Sequence, residues 1–294
     1  MIEIRTIQGT PLERVRKVPI NHLNRNILIV GTSGTGKSTL MREIEKIQPP
    51  KLKLIYKTEG EKAFSISQNR PFLETDRMNF LDSWRGTLKA DITGYMMIQE
   101  QIILEQARRE GQSLPELRAL LRKMKEQSEK LDSPVYGLIE NRLAHLFPTY
   151  TGQIRTEGKV TMEGLTEDEY LFFSDYILRN GYDALQDEII SIDEIHRLTP
   201  LLETTISRIT REIRSRGGLI ASTQSMSDLP PALINNFGTI FTFQNIDIRD
   251  LRYFSEIDRD LKEDVLALEE HEFLEVRSYK RSKLEGITQK MVLV

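Results

Sequence analysis

Hydrophobic positions along the chain fall into short continuous runs separated by longer stretches of helical spacing. The apolar runs have strand length and occupy residues 26–30, 53–56, 159–162, 188–193, 219–223 and 239–243. Helical spacing is found between them, over Lys37–Ile47, Glu167–Arg179 and Leu201–Arg216. Short apolar runs bounded by glycine, proline or polar residues are typical of buried strands, and their alternation with helices indicates a parallel sheet. The pattern predicts the α/β class, with residues 273–276 and 289–294 as additional edge strands.

Residues 91–147 differ from the rest because they contain little strand signal. Leu117, Leu121 and neighbouring apolar residues recur there at a spacing close to that of a coiled coil. The stripe is too short for a coiled coil and is more typical of helices that pack on one another. We expect a helical insertion at 91–147 within a single domain that spans 1–294.

Composition narrows the class of protein further. The chain has 294 residues, a formal net charge of −3 and no cysteine, which excludes disulfides, thiolate zinc sites and cysteine nucleophiles. No signal peptide or membrane-spanning run is visible, so a soluble cytoplasmic protein is expected. Because the net charge is near zero, any contact with nucleic acid would depend on local basic groups. Candidates are Lys51–Lys53, Arg122–Lys125 and Lys280–Arg281, each of which is also typical of an ordinary solvated surface.

The segment from Gly31 to Ser38 reads Gly-Thr-Ser-Gly-Thr-Gly-Lys-Ser and fits the P-loop pattern. It lies between a predicted strand and a predicted helix, where successive backbone N–H groups ring a phosphate at the positive end of the helix. Lys37 is expected to contact the β- and γ-phosphates of ATP, Ser38 to bind Mg²⁺, and Thr39 to reach the α-phosphate. The predicted nucleotide-binding residues are Gly31, Thr32, Ser33, Gly34, Thr35, Gly36, Lys37, Ser38 and Thr39.

Two acidic residues, Asp193 and Glu194, follow the apolar run that begins at residue 188. Ligands of open α/β sheets bind at the carboxyl ends of the strands. There Asp193 could hold Mg²⁺ through a water molecule, and Glu194 could orient and deprotonate an attacking water. Alone, this pattern is equally typical of a turn. Together with the P-loop it predicts an NTP hydrolase, and the sequence has no Asn-Lys-x-Asp motif of a GTPase.

Arginines recur on the side of the Leu201–Arg216 helix opposite its apolar face, at Arg208, Arg211 and Arg214. A solvated basic face is one interpretation. The other is an arginine finger that reaches the nucleotide of a neighbouring subunit. Gln224, at the end of the next strand, is either a turn residue or a polar group that senses the γ-phosphate or positions water.

In this order, the motifs resemble the HerA/FtsK group of P-loop DNA-pumping ATPases, most closely its HerA-like branch. The resemblance covers most of residues 18–245. Ile213 stands where the family has a glycine, and only about thirty residues precede the P-loop, too few for the β-barrel that HerA-type chains carry there. The matching blocks are Val18–Gly31, Val160–Leu165, Ile192–Leu198, Thr210–Arg214, Ala221–Gln224, Asp228–Pro230 and Ile234–Asn236.

The resemblance implies a RecA-like P-loop NTPase fold, a hexameric ring with ATP bound between subunits, and duplex DNA moved through the pore. It also implies roles for single residues. Lys37, Glu194 and Gln224 match catalytic positions, and Ser38 and Asp193 match the positions that hold the metal. The arginine pair matches Arg211 and Arg214, with Arg214 as the preferred trans-acting finger.

These expectations combine into one function, an Mg²⁺-dependent ATP hydrolase that forms a homo-hexamer and translocates double-stranded DNA without sequence preference. Viral genome-packaging, plasmid-mobilisation and HerA-type motors all fit this description. One alternative is an ATP-driven switch or assembly factor that docks a protein partner on the helical insertion. Another is a small-molecule kinase with that insertion as a lid, which Asp193 and Glu194 disfavour because a kinase needs no activated water.

Overall fold

A computed structural model describes the chain in segments that form two compact units. The first unit combines Met1–Tyr56 with Leu185–Val294, and the second spans Lys57–Ala184. The P-loop (Gly31–Ser38) belongs to the first unit, as do Asp193 and Glu194. Of the predicted features, Lys280–Arg281, Val18–Asn24 and most of 128–147 lie outside the described residues. The described residues are 4–6, 25–55, 74–87, 94–111, 113–127, 135–137, 139, 158–161, 167–198, 201–257, 261–277 and 289–293.

The strands and helices alternate along much of the chain, as the hydrophobic pattern predicts. The described strands are β1 (Ile4–Thr6), β2 (Ile27–Val30), β3 (Pro50–Ile55), β4 (Gly158–Thr161), β5 (Glu188–Ile192), β6 (Gly217–Thr223), β7 (Thr239–Phe243), β8 (Glu272–Arg277) and β9 (Gln289–Leu293). The described α-helices are α1 (Lys37–Ile47), α2 (Glu74–Thr87), α3 (Gly94–Glu110), α4 (Leu114–Gln127), α5 (Glu167–Asp183), α6 (Ser207–Glu212), α7 (Pro231–Ile234), α8 (Ile248–Ile257) and α9 (Leu261–Leu266).

The strands of the first unit form one sheet in the order β1-β9-β8-β7-β2-β6-β5-β3. The central pairs β7–β2, β2–β6, β6–β5 and β5–β3 are parallel, which confirms the predicted parallel core. β8 and β9 continue the sheet in antiparallel fashion, and β1 pairs with β9. The predicted strands at 273–276 and 289–294 are confirmed as β8 and β9, but their predicted position at the edge is wrong, because β1 covers the outer side of β9.

The P-loop strand β2 is buried along its whole length. All four of its residues, Ile27–Val30, are buried. Ile29 shares a core cluster with Leu40 and Ile44 of α1 and with Phe241 of β7. Leu40 and Ile44 are one helical turn apart, so a single face of α1 covers the sheet. Each such side chain contributes about 1.5–3 kcal/mol by leaving water, and together they fix α1 directly behind the P-loop.

The predicted Leu201–Arg216 helix is not a uniform α-helix. It opens with a π-helical turn over Leu202–Ile206, continues as α6, and tightens into a 3₁₀ turn over Ile213–Ser215. Ile213 is fully buried, as expected for a residue on the apolar face. Arg208 departs from the prediction, because it is half-buried and its Nε is shielded from solvent.

A fully buried asparagine, Asn26, ties this helix to the start of β2. Its Nδ2 donates to the carbonyl oxygens of Thr210 at 2.8 Å and Asn236 at 3.0 Å, and its Oδ1 accepts from the backbone N–H of Leu219 at 3.1 Å. A buried amide costs free energy unless its polar atoms are bonded, and here both side-chain atoms are. Three segments distant in sequence are thereby held at one point.

The second unit packs α2 against α5 through aromatic side chains. The ring centroids of Phe80 and Phe172 lie 5.5 Å apart at an edge-to-face angle of 78°. Trp84 lies against the same Phe172 ring and donates its Nε1–H to the Glu100 carboxylate at 3.1 Å. Leu117 of α4 is also buried, as the stripe predicts. Among the helices that the structure describes, none has both the length and the hydrophobicity needed to cross a bilayer.

The contact between β5 and β6 leaves no space for a side chain at Gly217. A Cβ there would lie 1.8 Å from the carbonyl oxygen of Glu188, which is backbone and cannot rotate away. We expect Gly217→Ala to lower the free energy of unfolding by about 3 kcal/mol, measured by chemical denaturation with circular dichroism. Gly137→Ala is the control, because nothing lies within 4 Å of its added Cβ. Equal effects of the two substitutions would contradict this packing.

Candidate nucleotide-binding site

The P-loop connects the carboxyl end of β2 to the amino end of α1. Gly34 and Gly36 have φ angles of 88° and 105°, which other residues adopt only with strain. Gly31 is needed for a different reason, because an added Cβ would lie 2.8 Å from both Phe243 Cβ and Thr35 Oγ1. Thr32, Ser33 and Gly34 are exposed along the rim of the loop. These glycines therefore leave the loop backbone accessible to a ligand.

Lys37 is buried at the first turn of α1, with only 6% of its surface exposed. Its Nζ donates a hydrogen bond to the Thr32 carbonyl oxygen at 2.9 Å, inside the P-loop itself. Burial lowers the pKa of the Lys37 amine, and the nearby carboxylates of Glu194 and Asp193 oppose that shift. The structure thus brings the lysine within electrostatic reach of both acidic residues.

Asp193 and Glu194 follow β5 at the same sheet edge, and one serine hydroxyl contacts both. Ser222 Oγ donates to Asp193 Oδ1 and accepts the backbone N–H of Glu194 at 3.0 Å. Asp193 N donates to the Leu54 carbonyl oxygen at 2.9 Å, which extends the pairing of β5 with β3 by one residue. Glu194 then takes a φ of 55°, a value uncommon outside glycine, so the strand ends there.

The Glu194 carboxylate accepts one side-chain hydrogen bond and lies close to an imidazole ring. Gln224 Nε2 donates to Glu194 Oε2 at 3.0 Å, and His196 Nε2 lies 3.4 Å from the same oxygen. The other ring nitrogen of His196 is 3.3 Å from Thr223 Oγ1. His196 was not among the predicted site residues, and its only signal in the sequence is its position two residues after Glu194. The structure thus adds His196 to the predicted set.

His196 is half-buried, and burial is the main cause that lowers its pKa below the ordinary value of 6.5. Glu194 and Asp228 oppose the shift, whereas Arg197 and Lys37 add to it. The imidazole is therefore neutral at pH 7, so one ring nitrogen donates and the other accepts.

Oxygen ligands suited to Mg²⁺ are available on both sides of the site. Ser38 is exposed at the start of α1, and Asp193 ends β5. The described residues contain no group of three or more His, Asp or Glu side chains that could hold a metal ion. That result fits Mg²⁺ at nucleotide sites, which takes one or two protein ligands and completes its shell with phosphate and water oxygens. Thr39 is half-buried, and its Oγ1 lies 3.4 Å from Arg42, which donates to it.

The arginine pair is not part of this cluster within one chain. Arg211 and Arg214 are exposed, and the Arg211 Nε donates to the Ser207 carbonyl oxygen at 3.1 Å. None of the contacts described for these two arginines reaches Lys37 or Glu194. The pair lies where a second molecule could meet it.

The basic segment Lys51–Lys53 is engaged in ion pairs. Lys51 Nζ lies 2.8 Å from a carboxylate oxygen of Glu188, and Lys53 pairs with Glu45 of α1. These contacts give both lysines a structural partner, which weakens their candidacy as DNA contacts.

A P-loop between β2 and α1, with acidic residues at the end of a neighbouring parallel strand, defines a RecA-like P-loop NTPase fold. The sequence matches no family profile, and no curated protein is similar to it at a significant level. Among solved structures, VirB4 of Thermoanaerobacter pseudethanolicus matches with a TM-score of 0.70 at 13% identity, over 100% of this chain and 95% of that chain. The plasmid coupling protein TrwB in complex with ADP and Mg²⁺ matches with a TM-score of 0.60 at 13% identity, over 94% and 86%. The predicted fold is confirmed.

Because the pKa of His196 is lowered, the free energy of unfolding is expected to depend on pH. At pH above 6.5 the residue is neutral in both the folded and the unfolded chain and contributes nothing. As the pH falls below 6.5, the unfolded chain binds a proton that the folded state resists, so stability decreases until the folded pKa is passed. We expect His196→Gln to lose less stability than the wild type between about pH 7 and about pH 5, measured by denaturation at each pH.

A His196→Gln profile that coincides with that of the wild type would contradict the burial effect.

Proposed function

We propose that this chain is an Mg²⁺-dependent ATPase that assembles into a ring with shared active sites and translocates double-stranded DNA. The observation that carries the proposal is the convergence of Lys37, Asp193, Glu194 and Gln224 at one sheet edge. Lys37 interacts electrostatically with both carboxylates, Ser222 is hydrogen-bonded to Asp193 and Glu194, and Gln224 donates to Glu194.

In this proposal, each residue has a distinct part in hydrolysis. The backbone N–H groups of Gly31–Ser38 bind the phosphates at the positive end of α1. Lys37 exchanges its bond to the Thr32 carbonyl for phosphate oxygens, which compensate the buried ammonium better than a neutral carbonyl does. Glu194 orients a water molecule and accepts its proton, and Gln224 fixes the carboxylate of Glu194 through the 3.0 Å bond.

Ser38 and Asp193 would hold Mg²⁺, which neutralises phosphate charge when bound. The Ser222 hydroxyl occupies one oxygen of Asp193, so the remaining lone pairs of the carboxylate are available to the metal shell. TrwB, which shares the fold, was solved with ADP and Mg²⁺, which supports a nucleotide and Mg²⁺ as the molecules bound at this site.

Two observations support the DNA motor over other ATPases. TrwB is a plasmid coupling protein, and it matches over most of both chains. Arg211 of α6 and Arg214 of the following 3₁₀ turn are exposed, as expected for residues that complete the active site of a neighbouring subunit. DNA contact would be electrostatic and independent of sequence, so it should weaken steeply with salt.

An ATPase assay with and without duplex DNA tests the proposal. We expect hydrolysis by the wild type to increase with added duplex of any sequence and the increase to fall as salt rises.

Glu194→Gln should bind ATP while turnover falls by a factor on the order of a hundred, because the water loses its base. Lys37→Ala should instead lose ATP binding itself.

Hydrolysis that ignores every form of DNA but responds to a protein would favour the ATP-driven switch. Lack of hydrolysis and of nucleotide binding would overturn the proposal as a whole.

Arg214→Ala tests whether active sites are shared between subunits. Alone, the variant should hydrolyse ATP slowly, because the guanidinium that stabilises the transition state comes from the neighbour. Mixing it with Glu194→Gln protein should restore part of the turnover, since some interfaces then combine an intact Glu194 with an intact Arg214. Arg252→Ala, at an arginine paired with Glu256 on α8, is the matched control and should hydrolyse at the wild-type rate. Unchanged turnover in pure Arg214→Ala protein would remove the finger assignment.

A further inference from the structure

Asp250 is a fully buried carboxylate on α8 that the proposed chemistry does not use. Four donors reach it, two on each oxygen. Oδ1 accepts from Ser225 Oγ at 2.8 Å and from Ser227 N at 2.8 Å. Oδ2 accepts from Met226 N at 3.0 Å and from the Asn245 side-chain amide.

Three of these donors belong to a single turn of the chain, residues 225–227. Hydrogen bonds to a carboxylate are stronger than those between neutral groups, and a buried charge requires them. Because two of the donors are backbone N–H groups, Asp250 fixes the path of the main chain and not only the side chains.

This turn directly follows Gln224, which contacts the catalytic carboxylate. Gln224 Nε2 lies 3.0 Å from Glu194 Oε2, although Gln224 itself is exposed. On its amino-terminal side Gln224 is fixed by β6, and on its carboxyl-terminal side by the turn bound to Asp250. Thr223 adds a second link, since its hydroxyl donates to the Ser225 carbonyl oxygen at 3.0 Å.

We propose that Asp250 is a positioning residue for ATP hydrolysis, which holds the 225–227 turn so that Gln224 stays bonded to Glu194. The inference rests on the proposed function, because it assigns Asp250 a part in the same reaction. The described contacts of Asp250 are to residues 225–227 and Asn245, so it acts through Gln224.

Asp250→Asn is the direct test because it keeps the shape of the side chain. An amide has only one acceptor oxygen, so two of the four donors lose their hydrogen bond to residue 250 whichever way the amide turns. We expect turnover per folded molecule to fall about tenfold, while the Kd for a fluorescent ATP analogue changes by less than about threefold.

A double-mutant cycle with Gln224→Ala separates positioning from general destabilisation. If Asp250 acts through Gln224, Asp250→Asn should reduce the turnover of the Gln224→Ala protein by less than about twofold. The matched control is Asp175→Asn, at another fully buried aspartate, which pairs with Arg179 at 2.8 Å in the second unit. That variant should lose stability but keep its turnover per folded molecule.

Several results would overturn the inference while leaving the proposed function intact. These are unchanged turnover in Asp250→Asn, an equal loss with and without Gln224, or a Gln224→Ala protein as active as the wild type. Absence of hydrolysis by the wild type would overturn both.

If Asp250→Asn does not fold, Ser225→Ala provides a second test because it removes one of the four donors. A several-fold loss of turnover that disappears in the Gln224→Ala background is expected. The same loss in both backgrounds would overturn the inference.

Discussion

The parallel register among β2, β6 and β5 is the constraint on which the candidate site depends. Val30 of β2 is opposite Thr223 of β6, and Ala221 of β6 is opposite Ile192 of β5. Parallel strands end at the same edge of a sheet, so the residues that follow these pairs must meet there. The backbone N–H of Gly31 donates to the Thr223 carbonyl oxygen at 3.3 Å, which continues the ladder into the P-loop. A shift by one residue would move the acidic residues away from the lysine and turn their side chains to the opposite face.

Within that register, the buried hydroxyl of Ser222 positions the two acidic residues that follow β5. It lies between the Asp193 carboxylate and the Glu194 backbone N–H, and so it orients two consecutive residues from a neighbouring strand. A larger or apolar side chain there would leave a buried N–H without a partner, at a cost of about 1–3 kcal/mol. The placement of Asp193 relative to Glu194 is thus fixed by a residue to which the proposed mechanism assigns no chemical step.

The sequence was sufficient for the fold and for the centre of the site because both are encoded locally. Strand length, helical spacing and the Gly31–Ser38 motif each occupy one continuous segment, and the resemblance to known motors links those segments in order. The sequence did not reveal the roles of His196, Asp250 and Asn26, because these roles depend on partners far away in the chain. Asn26, for instance, bonds to a carbonyl 184 positions later. The half-burial of Arg208 was not predicted for a related reason, because helical spacing predicts the face on which a residue lies but not what packs over that face.

The side-chain amide of Asn26 connects the P-loop strand with the segment that carries Arg211 and Arg214. The strand that carries the phosphate loop at one end is bonded at its other end to the Thr210 carbonyl, four positions before Arg214. Between them lies only the length of β2, about 13 Å for four residues at 3.3 Å each. In the proposed ring, a displacement of the P-loop would be transmitted along β2 and through the Asn26 hydrogen bond to the segment that carries Arg211 and Arg214.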